Sequence, residues 1–281
     1  MMNFISVFLL CSFLVFSCKG KAKKEPDKNT DTQILAGSQD YNILSPDATW
    51  ELPSALKEIS GMNLFNDSLM LCQEDENGKL YLYNLLSKQI EKTIPFSNPQ
   101  DYEDLAIEGA DVYLIQSNGN IVQVTNYLQT PVLKKYKTAL SRKNDTEGLC
   151  YDRVSNSLLI ACKEDQSISE STKQPKSIYT FKVEEKALSD KPLLVFEEKD
   201  FRPSALAVHP VTGNIFVLSA SKRKLLEVNR QGTVLQRYEL KSDLFKQPEG
   251  LTFSANADLY ISNEGGLGKA NILLFHYQAN K

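Results

Sequence analysis

The feature that most constrains this chain is a short motif that returns at a nearly constant interval. DTEGLC at 145–150 and QPEGLT at 247–252 show it most clearly, each with a glutamate ahead of Gly-Leu. Five copies align on one position, which holds Ser60, Glu103, Glu147, Ser204 and Glu249. Successive copies are 43, 44, 57 and 45 residues apart, and the long interval contains a polar segment at 166–176. A regular period of this length indicates a repeat architecture.

The elements within each period predict strands. After the motif comes a short strand, then a turn, and then a strongly apolar strand such as SLMLC at 68–72 or NIFVL at 214–218. Polar turns and one or two further strands complete the period, and no long segment shows the 3.6-residue periodicity of a helix. Four short strands per repeat are typical of a β-propeller blade. We therefore predict an all-β, five-bladed β-propeller.

The last period predicts how the ring closes. From Glu249 of the final motif only 33 residues remain, 249–281, which is room for three strands. A strand within residues 41–53 is expected to complete the last blade, because pairing the two ends of the chain removes an exposed sheet edge. A divergent sixth blade within residues 166–203 is the main alternative.

The first residues predict an envelope protein. Residues 4–16 are almost wholly apolar, which is short for a bilayer span and fits a secretory signal. The segment ends at VFSC, similar to the lipobox in which Cys18 is lipidated. We predict a signal peptide over 1–17, a lipidated Cys18 with a polar linker over 18–37, and the propeller over 38–281. A plain signal peptide or an N-terminal anchor helix are the alternatives.

Composition limits which classes of partner and which kinds of site are expected. The net charge is −3 while the linker carries a positive excess, so the folded part is acidic and nucleic acid is not an expected partner. Cys72, Cys150 and Cys162 have no CxxC spacing, which argues against a zinc or redox site. We favour packed thiols over a strained disulfide between Cys150 and Cys162 across one hairpin.

The motif predicts a site because of where its acidic side chains must lie. In a blade, the first strand lines the channel and the second runs antiparallel to it. Strand-one starts (Glu103, Glu147, Glu249) and strand-two ends (Glu164, Glu264) should therefore meet at one channel mouth. Converging carboxylates raise one another's pKa unless a cation neutralises them. An all-oxygen set without imidazole favours calcium over magnesium. Alternatively, each glutamate binds backbone N–H groups of the neighbouring blade and joins the blades together.

Several segments, taken together, resemble the SdiA-regulated family of bacterial propeller proteins, which is distantly similar to NHL-repeat and strictosidine-synthase-like propellers. They are EISGM, DYEDLAI, DTEGLCYD, SALAVHPVTGNIFVLSASKRKLLEV and QPEGLTFSANADLYISNE. The resemblance implies a five-bladed propeller at an envelope location with calcium in its channel. By position it implies the ligands Glu103, Glu147 and Glu249, with Glu164 and Glu264 behind them.

Two functions follow as expectations. The first is a monomeric, lipid-tethered, calcium-binding module at the outer membrane, with a small-molecule, glycan or protein ligand at the channel mouth. The second is a calcium-dependent hydrolase acting on lactones or phosphate esters, in which the metal polarises an oxygen or activates water. Phosphate-ester chemistry should bring several basic residues to the mouth, and Lys163 is the one that sequence places there. A structural protein with a plugged channel is the third interpretation.

Overall fold

Twenty-one strands account for about half of the residues that the computed structural model describes, which are 40–164 and 176–279. They form five antiparallel sheets, each with four strands along its main path. The five-bladed β-propeller predicted from the repeat is confirmed. The predicted signal peptide, the lipidated Cys18 and the linker lie outside the described residues, and these stay predictions. No helix within the described ranges is long and apolar enough to cross a membrane.

The strands follow the order predicted for the repeat. The chain begins with β1 (Ala48–Glu51) and a 3-10 turn (Ser54–Leu56). Blade 1 contains β2 (Ile59–Leu64), β3 (Leu69–Glu74), β4 (Lys79–Asn84) and β5 (Gln89–Pro95). Blade 2 contains β6 (Tyr102–Glu108), β7 (Asp111–Gln116), β8 (Ile121–Thr125) and β9 (Val132–Tyr136).

The other three blades repeat this order. Blade 3 contains β10 (Thr146–Asp152), β11 (Ser157–Cys162), β12 (Lys176–Lys182), β13 (Ala187–Leu188) and β14 (Leu194–Phe196). Blade 4 contains β15 (Ala205–Val208), β16 (Ile215–Ser219), β17 (Lys224–Val228) and β18 (Val234–Glu239). Blade 5 contains β19 (Pro248–Phe253), β20 (Leu259–Asn263) and β21 (Asn271–Phe275).

The ring closes through the N-terminal strand, as predicted. β1 pairs with β21 in antiparallel register, with Ala48 opposite Leu274 and Glu51 opposite Asn271. The indole N–H of Trp50 donates to the carbonyl of Leu85 in blade 1 at 2.7 Å. The first described strand therefore completes blade 5 and also contacts the next blade. The alternative of a sixth blade within residues 166–203 does not hold for the described part of that segment, because the strands within 176–196 belong to blade 3.

The core consists of five apolar clusters, one between each pair of neighbouring blades. The cluster between blades 1 and 2, for example, joins Leu71 and Leu82 to Leu105 and Leu114. Each middle strand is buried on both faces, which is why these strands read as continuous apolar runs in the sequence. Burial of this surface provides the main stabilisation of the ring.

The register separates the two cysteines that sequence reasoning placed on one hairpin. Cys162 lies opposite Thr146, and Cys150 lies opposite Leu159. The two thiols belong to different clusters, on opposite sides of blade 3. Cys72, Cys150 and Cys162 are all free and buried.

The inner strands position the site. β2, β6, β10, β15 and β19 contact one another in a closed ring. All five run in the same direction along the channel, because each is the first strand of an equivalent blade. The end at which they begin is here called the acidic mouth, and the other end the opposite face.

Candidate functional site

Each glutamate of the repeated motif lies at a β-bulge at the acidic mouth. In blade 2, Tyr102 pairs with Gln116 and Asp104 with Ile115, so Glu103 between them has no partner across the ladder. Blade 3 repeats this at Glu147, and in blade 5 the shift in register includes Glu249 and Gly250. A bulge re-aims the side chain of the extra residue and is common beside functional sites. The repeat thus delivers three glutamates to one rim through one local device.

Four partly buried glutamates influence one another there, and they are called here the carboxylate cluster: Glu103, Glu147, Glu249 and Glu264. Burial, followed by the charges of Glu147 and Asp101, raises the pKa of Glu103 to about 9. Burial, followed by the charges of Glu264 and Glu147, raises the pKa of Glu249 to about 8. Placing like charges in a partly dehydrated space disfavours the ionised form of each. The cluster therefore holds more protons at neutral pH than isolated glutamates would.

Lys163 provides the cationic contact of this cluster. Its ammonium lies 2.8 Å from Oε1 of Glu147, and the side chains are 28% and 12% exposed. Burial raises the pKa of Glu147, while the charge of Lys163 opposes that shift. One ammonium cannot offset four ionised carboxylates, so the other glutamates of the cluster retain protons at neutral pH unless a further cation is present.

Glu264 extends the cluster towards blade 1. It follows the last residue of β20, and its backbone N–H donates to the carbonyl of Gln247 at 2.9 Å. Burial and the charges of Glu58, Asp75 and Glu147 raise the pKa of Glu264 to about 7. The side-chain amide of Gln247 donates to its carboxylate.

Glu164 is arranged differently from the other four predicted ligands. Its Oε1 lies 2.7 Å from the guanidinium of Arg202, and its side chain is 37% exposed. The same guanidinium lies 3.8 Å from Oδ2 of Asp145. Glu164 is therefore at the mouth, as predicted, but it is engaged by a cation of its own. Sequence reasoning missed Arg202, because it lies two residues ahead of the Ser204 anchor outside any motif.

Buried side-chain oxygens without a hydrogen-bond partner in the described ranges mark the strand-two ends. They are Gln73 Oε1, Asp75 Oδ1, Gln116 Oε1 and Asn263 Oδ1. The amide N–H groups of the glutamines are used: Gln73 donates to the carbonyl of Tyr102, and Gln116 donates to Gln100, both at 2.7 Å. Buried acceptors of this kind are rare in proteins and call for a ligand, an ion or water. The sequence signal for these acceptors is a polar residue at the end of an apolar strand, as in SLMLCQE.

Asp104 has the backbone-binding role that the alternative interpretation assigned to the glutamates. It is fully buried, and its Oδ2 accepts the N–H of Leu149 in blade 3 at 2.8 Å. Its Oδ1 accepts the N–H of Leu105 at 2.8 Å. A side chain built on Gly61 would lie 2.8 Å from that Oδ1, so glycine is required where blade 1 meets Asp104. The aspartate in DYEDLA, at a position where three of the other four copies of the motif have glycine, is the signal for this role.

The donor set matches a hard cation in chemistry. Carboxylates and amide oxygens are what calcium prefers, and the unpartnered acceptors of Gln73, Gln116 and Asn263 add neutral oxygens to the carboxylate cluster. Among the residues that the structure describes, no three Asp, Glu, His or Cys side chains converge into a metal-binding group. A bound cation would therefore require the carboxylates to turn towards one another, and Glu147 to exchange Lys163 for the ion.

The family can be stated at this point. A profile of the SdiA-regulated family matches residues 48–267, from β1 to the turn after β20. The chain belongs to the SdiA-regulated family. The match spans the carboxylate cluster and every strand except β21, and it confirms the resemblance found in the sequence. A comparison of the chain with curated protein sequences found no match.

Solved structures support the fold. Glutaminyl cyclase from Myxococcus xanthus aligns over 84% of this chain and 97% of its own, with 14% identity and a TM-score of 0.60. A luciferin-regenerating enzyme aligns over 84% and 96%, with 11% identity and a TM-score of 0.51. A protein of unknown function from Bacteroides thetaiotaomicron aligns over 77% and 55%, with 14% identity and a TM-score of 0.51. At these identities the likeness concerns the propeller fold alone.

Proposed function

We propose that this protein is a lipid-anchored, calcium-binding propeller that serves as a binding module in the bacterial cell envelope. The observation that carries the calcium proposal is the carboxylate cluster, in which Lys163 pairs with Glu147 while ionisation of the other glutamates is disfavoured. Burial and mutual repulsion raise the pKa of Glu103 to about 9 and that of Glu249 to about 8. A bivalent cation would relieve that repulsion where one ammonium does not.

The residues that would hold the ion belong to three blades, which are blades 2, 3 and 5. Glu103, Glu147, Glu249 and Glu264 would supply carboxylate oxygens, and the unpartnered oxygen of Asn263, one residue before Glu264, is a further candidate. Glu164 would act from the rim, because Arg202 already engages it. When bound, calcium would supply a fixed positive charge that can also attract an anionic or hydroxylated ligand. By linking several blades, it would stabilise the ring.

Calorimetric titration tests the calcium site. The compact unit over residues 38–281 retains all described contacts and is the material of choice. We expect calcium to release or absorb heat and to raise the melting temperature. Glu147→Gln should weaken binding by about tenfold or more, because Glu147 is the carboxylate whose charge reaches the other three. Glu185→Gln is the matched control, since Glu185 is exposed and lies on the turn after β12. Absence of both heat and stabilisation would refute the site.

The lipid anchor needs its own test. The lipobox-like VFSC at 15–18 supports it, as does the polar linker that follows. We expect the full chain expressed with its leader to fractionate with membranes and to incorporate labelled fatty acid. Cys18→Ala should abolish the incorporation, whereas Cys162→Ala should not, because Cys162 is buried in blade 3. Incorporation that survives Cys18→Ala would refute this anchor.

A hydrolase is the second candidate, and one observation favours it. A cavity of about 320 Å³ adjoins the acidic mouth, lined by Glu264, Lys246 and the turn at 265–268. A carboxyl group with a pKa of about 7 beside a cavity suits a general acid or base at neutral pH. Calcium-dependent hydrolysis of a chromogenic phosphate ester or lactone, lost in Glu264→Gln, would support this function. No turnover with either substrate class would leave the binding module as the proposal.

A further inference from the structure

The face opposite the acidic mouth carries apolar side chains at the tips of its turns. Ten large hydrophobic residues are exposed in the described ranges, and several of them can be assigned to one end of the channel or the other. Leu86, Val154 and Val211, which are 82%, 81% and 66% exposed, lie on turns of the opposite face, and Leu44 at 55% precedes β1 there. One, Leu267, lies at the acidic mouth. Single exposed apolar residues are ordinary, but these four share one face and come from different blades.

The chain also enters the fold on this face. β1 runs from Ala48, opposite Leu274 near the end of β21, towards the acidic mouth. The backbone carbonyl of Asp40 accepts the N–H of Gln278, which follows β21, at 2.8 Å. The 39 residues that precede Asp40, including the apolar segment at 4–16 and Cys18, therefore connect to the propeller at the opposite face. A lipid on Cys18 would attach the chain to the bilayer from that side.

Basic side chains lie beside two of the apolar tips. The carboxylate cluster lies at the other end of the channel, away from any anionic lipid headgroups. Two exposed cations flank the apolar tips: Lys88 is two residues after Leu86, and Arg153 directly precedes Val154. Apolar side chains with neighbouring Lys or Arg are the combination that binds bilayer interfaces. Acidic residues lie on other turns of the same face, among them Asp67, Glu108, Glu184 and Glu185, and Lys182 pairs with Glu185 there at 2.8 Å. The basic character is therefore local to the tips at Leu86 and Val154.

We propose that the opposite face rests on the lipid bilayer through Leu44, Leu86, Val154 and Val211, so that the acidic mouth points away from the membrane. The proposal rests on the lipid anchor proposed above. Its consequence is that the carboxylate cluster faces soluble ligands, and not lipid headgroups. The four tips would insert shallowly and would fix the orientation of a domain that is otherwise held only by its linker.

Site-specific fluorescence in vesicles tests the orientation. The full chain is purified with its anchor and reconstituted into phosphatidylethanolamine–phosphatidylglycerol vesicles. Val154→Cys and Val211→Cys are labelled with an environment-sensitive maleimide dye; Cys72, Cys150 and Cys162 are buried and should not react. We expect blue-shifted emission and quenching by spin-labelled lipid at both positions. Leu267→Cys, an exposed leucine at the acidic mouth, is the matched control and should show neither.

The outcomes separate the two proposals. A Cys18 that itself reacts with the maleimide would refute the anchor. If Cys18 does not react with the maleimide, the anchor proposal stands. Equal quenching at positions 154, 211 and 267 in that protein would then refute only the proposed orientation. Absence of quenching at positions 154 and 211 would also refute it, including the case in which these tips bind a protein. Adding Leu86→Ser to the labelled Val154→Cys protein should reduce the quenching, because one insertion point is lost.

Discussion

Asp104 Oδ2 accepts the backbone N–H of Leu149 at 2.8 Å, and this bond joins blade 2 to blade 3 beside the channel axis. Burial raises the pKa of Asp104 well above its usual value, while the two backbone N–H groups that it accepts oppose that shift. The bond lies in the same ring of inner strands that carries the carboxylate cluster. Asp104, which joins the blades, is therefore adjacent to the candidate site but is not one of the side chains of the carboxylate cluster.

Asp104→Ala should destabilise the protein by about 2–4 kcal/mol. It removes the acceptor from two buried N–H groups, those of Leu105 and Leu149, and an unsatisfied buried donor costs about 1–3 kcal/mol. Denaturant unfolding measures the difference. Asp243→Ala, at an exposed position, is the control and should stay within about 0.5 kcal/mol of the wild type. A change of that small size for Asp104→Ala would show that the bond contributes little.

Stability without calcium should fall as the pH rises from about 5 to 9. The folded state raises the pKa of Glu264 to about 7, of Glu249 to about 8 and of Glu103 to about 9, from a usual value of 4.5. Between those limits the folded protein binds more protons than the unfolded chain, so raising the pH favours unfolding. Melting temperatures in chelator across this range measure the effect. Glu103→Gln/Glu249→Gln should flatten the profile, and a flat wild-type profile would contradict the prediction.

Lys163→Met should strengthen calcium binding by about 3- to 10-fold at pH 8.5. The ammonium occupies Oε1 of Glu147 at 2.8 Å, and a cation must displace or approach it against like-charge repulsion. Calcium titration of wild type and variant at this pH compares the affinities. Lys182→Met, whose lysine pairs with Glu185 on the other side of the fold, controls for the lost charge. Weaker binding in Lys163→Met would mean that Lys163 supports the site.

Arg230→Met should destabilise the ring by about 3–5 kcal/mol. The guanidinium forms two bonds to the fully buried carboxylate of Asp152, at 2.7 and 2.8 Å, and joins blade 4 to blade 3. Removing one partner of a buried pair leaves the other charge uncompensated. Chemical denaturation provides the measurement, with Arg153→Met as the neighbouring exposed control. Equal stabilities of the two variants would contradict the expected role of this pair.

The spacing of the motif was sufficient to predict the fold, because the architecture of a blade follows from local periodicity in the sequence. Four strands per 44-residue repeat leave few alternatives, and the short last repeat required an N-terminal strand, which β1 provides. The five predicted glutamates were placed at one end of the channel for the same reason. Glu103, Glu147 and Glu249 are equivalent by repetition, so their common rim needed no knowledge of long-range contacts.

What the tertiary structure alone decided is how each of those side chains is paired. The cation beside Glu147 comes from the same hairpin, but the one beside Glu164 comes from the segment leading into blade 4. The assignment of backbone binding to Asp104, and the separation of Cys150 from Cys162, depend on bulge and register. Local sequence sets which residues reach the mouth because strand direction is periodic. It cannot set their partners, because partners come from other blades and are chosen by packing across distant parts of the chain.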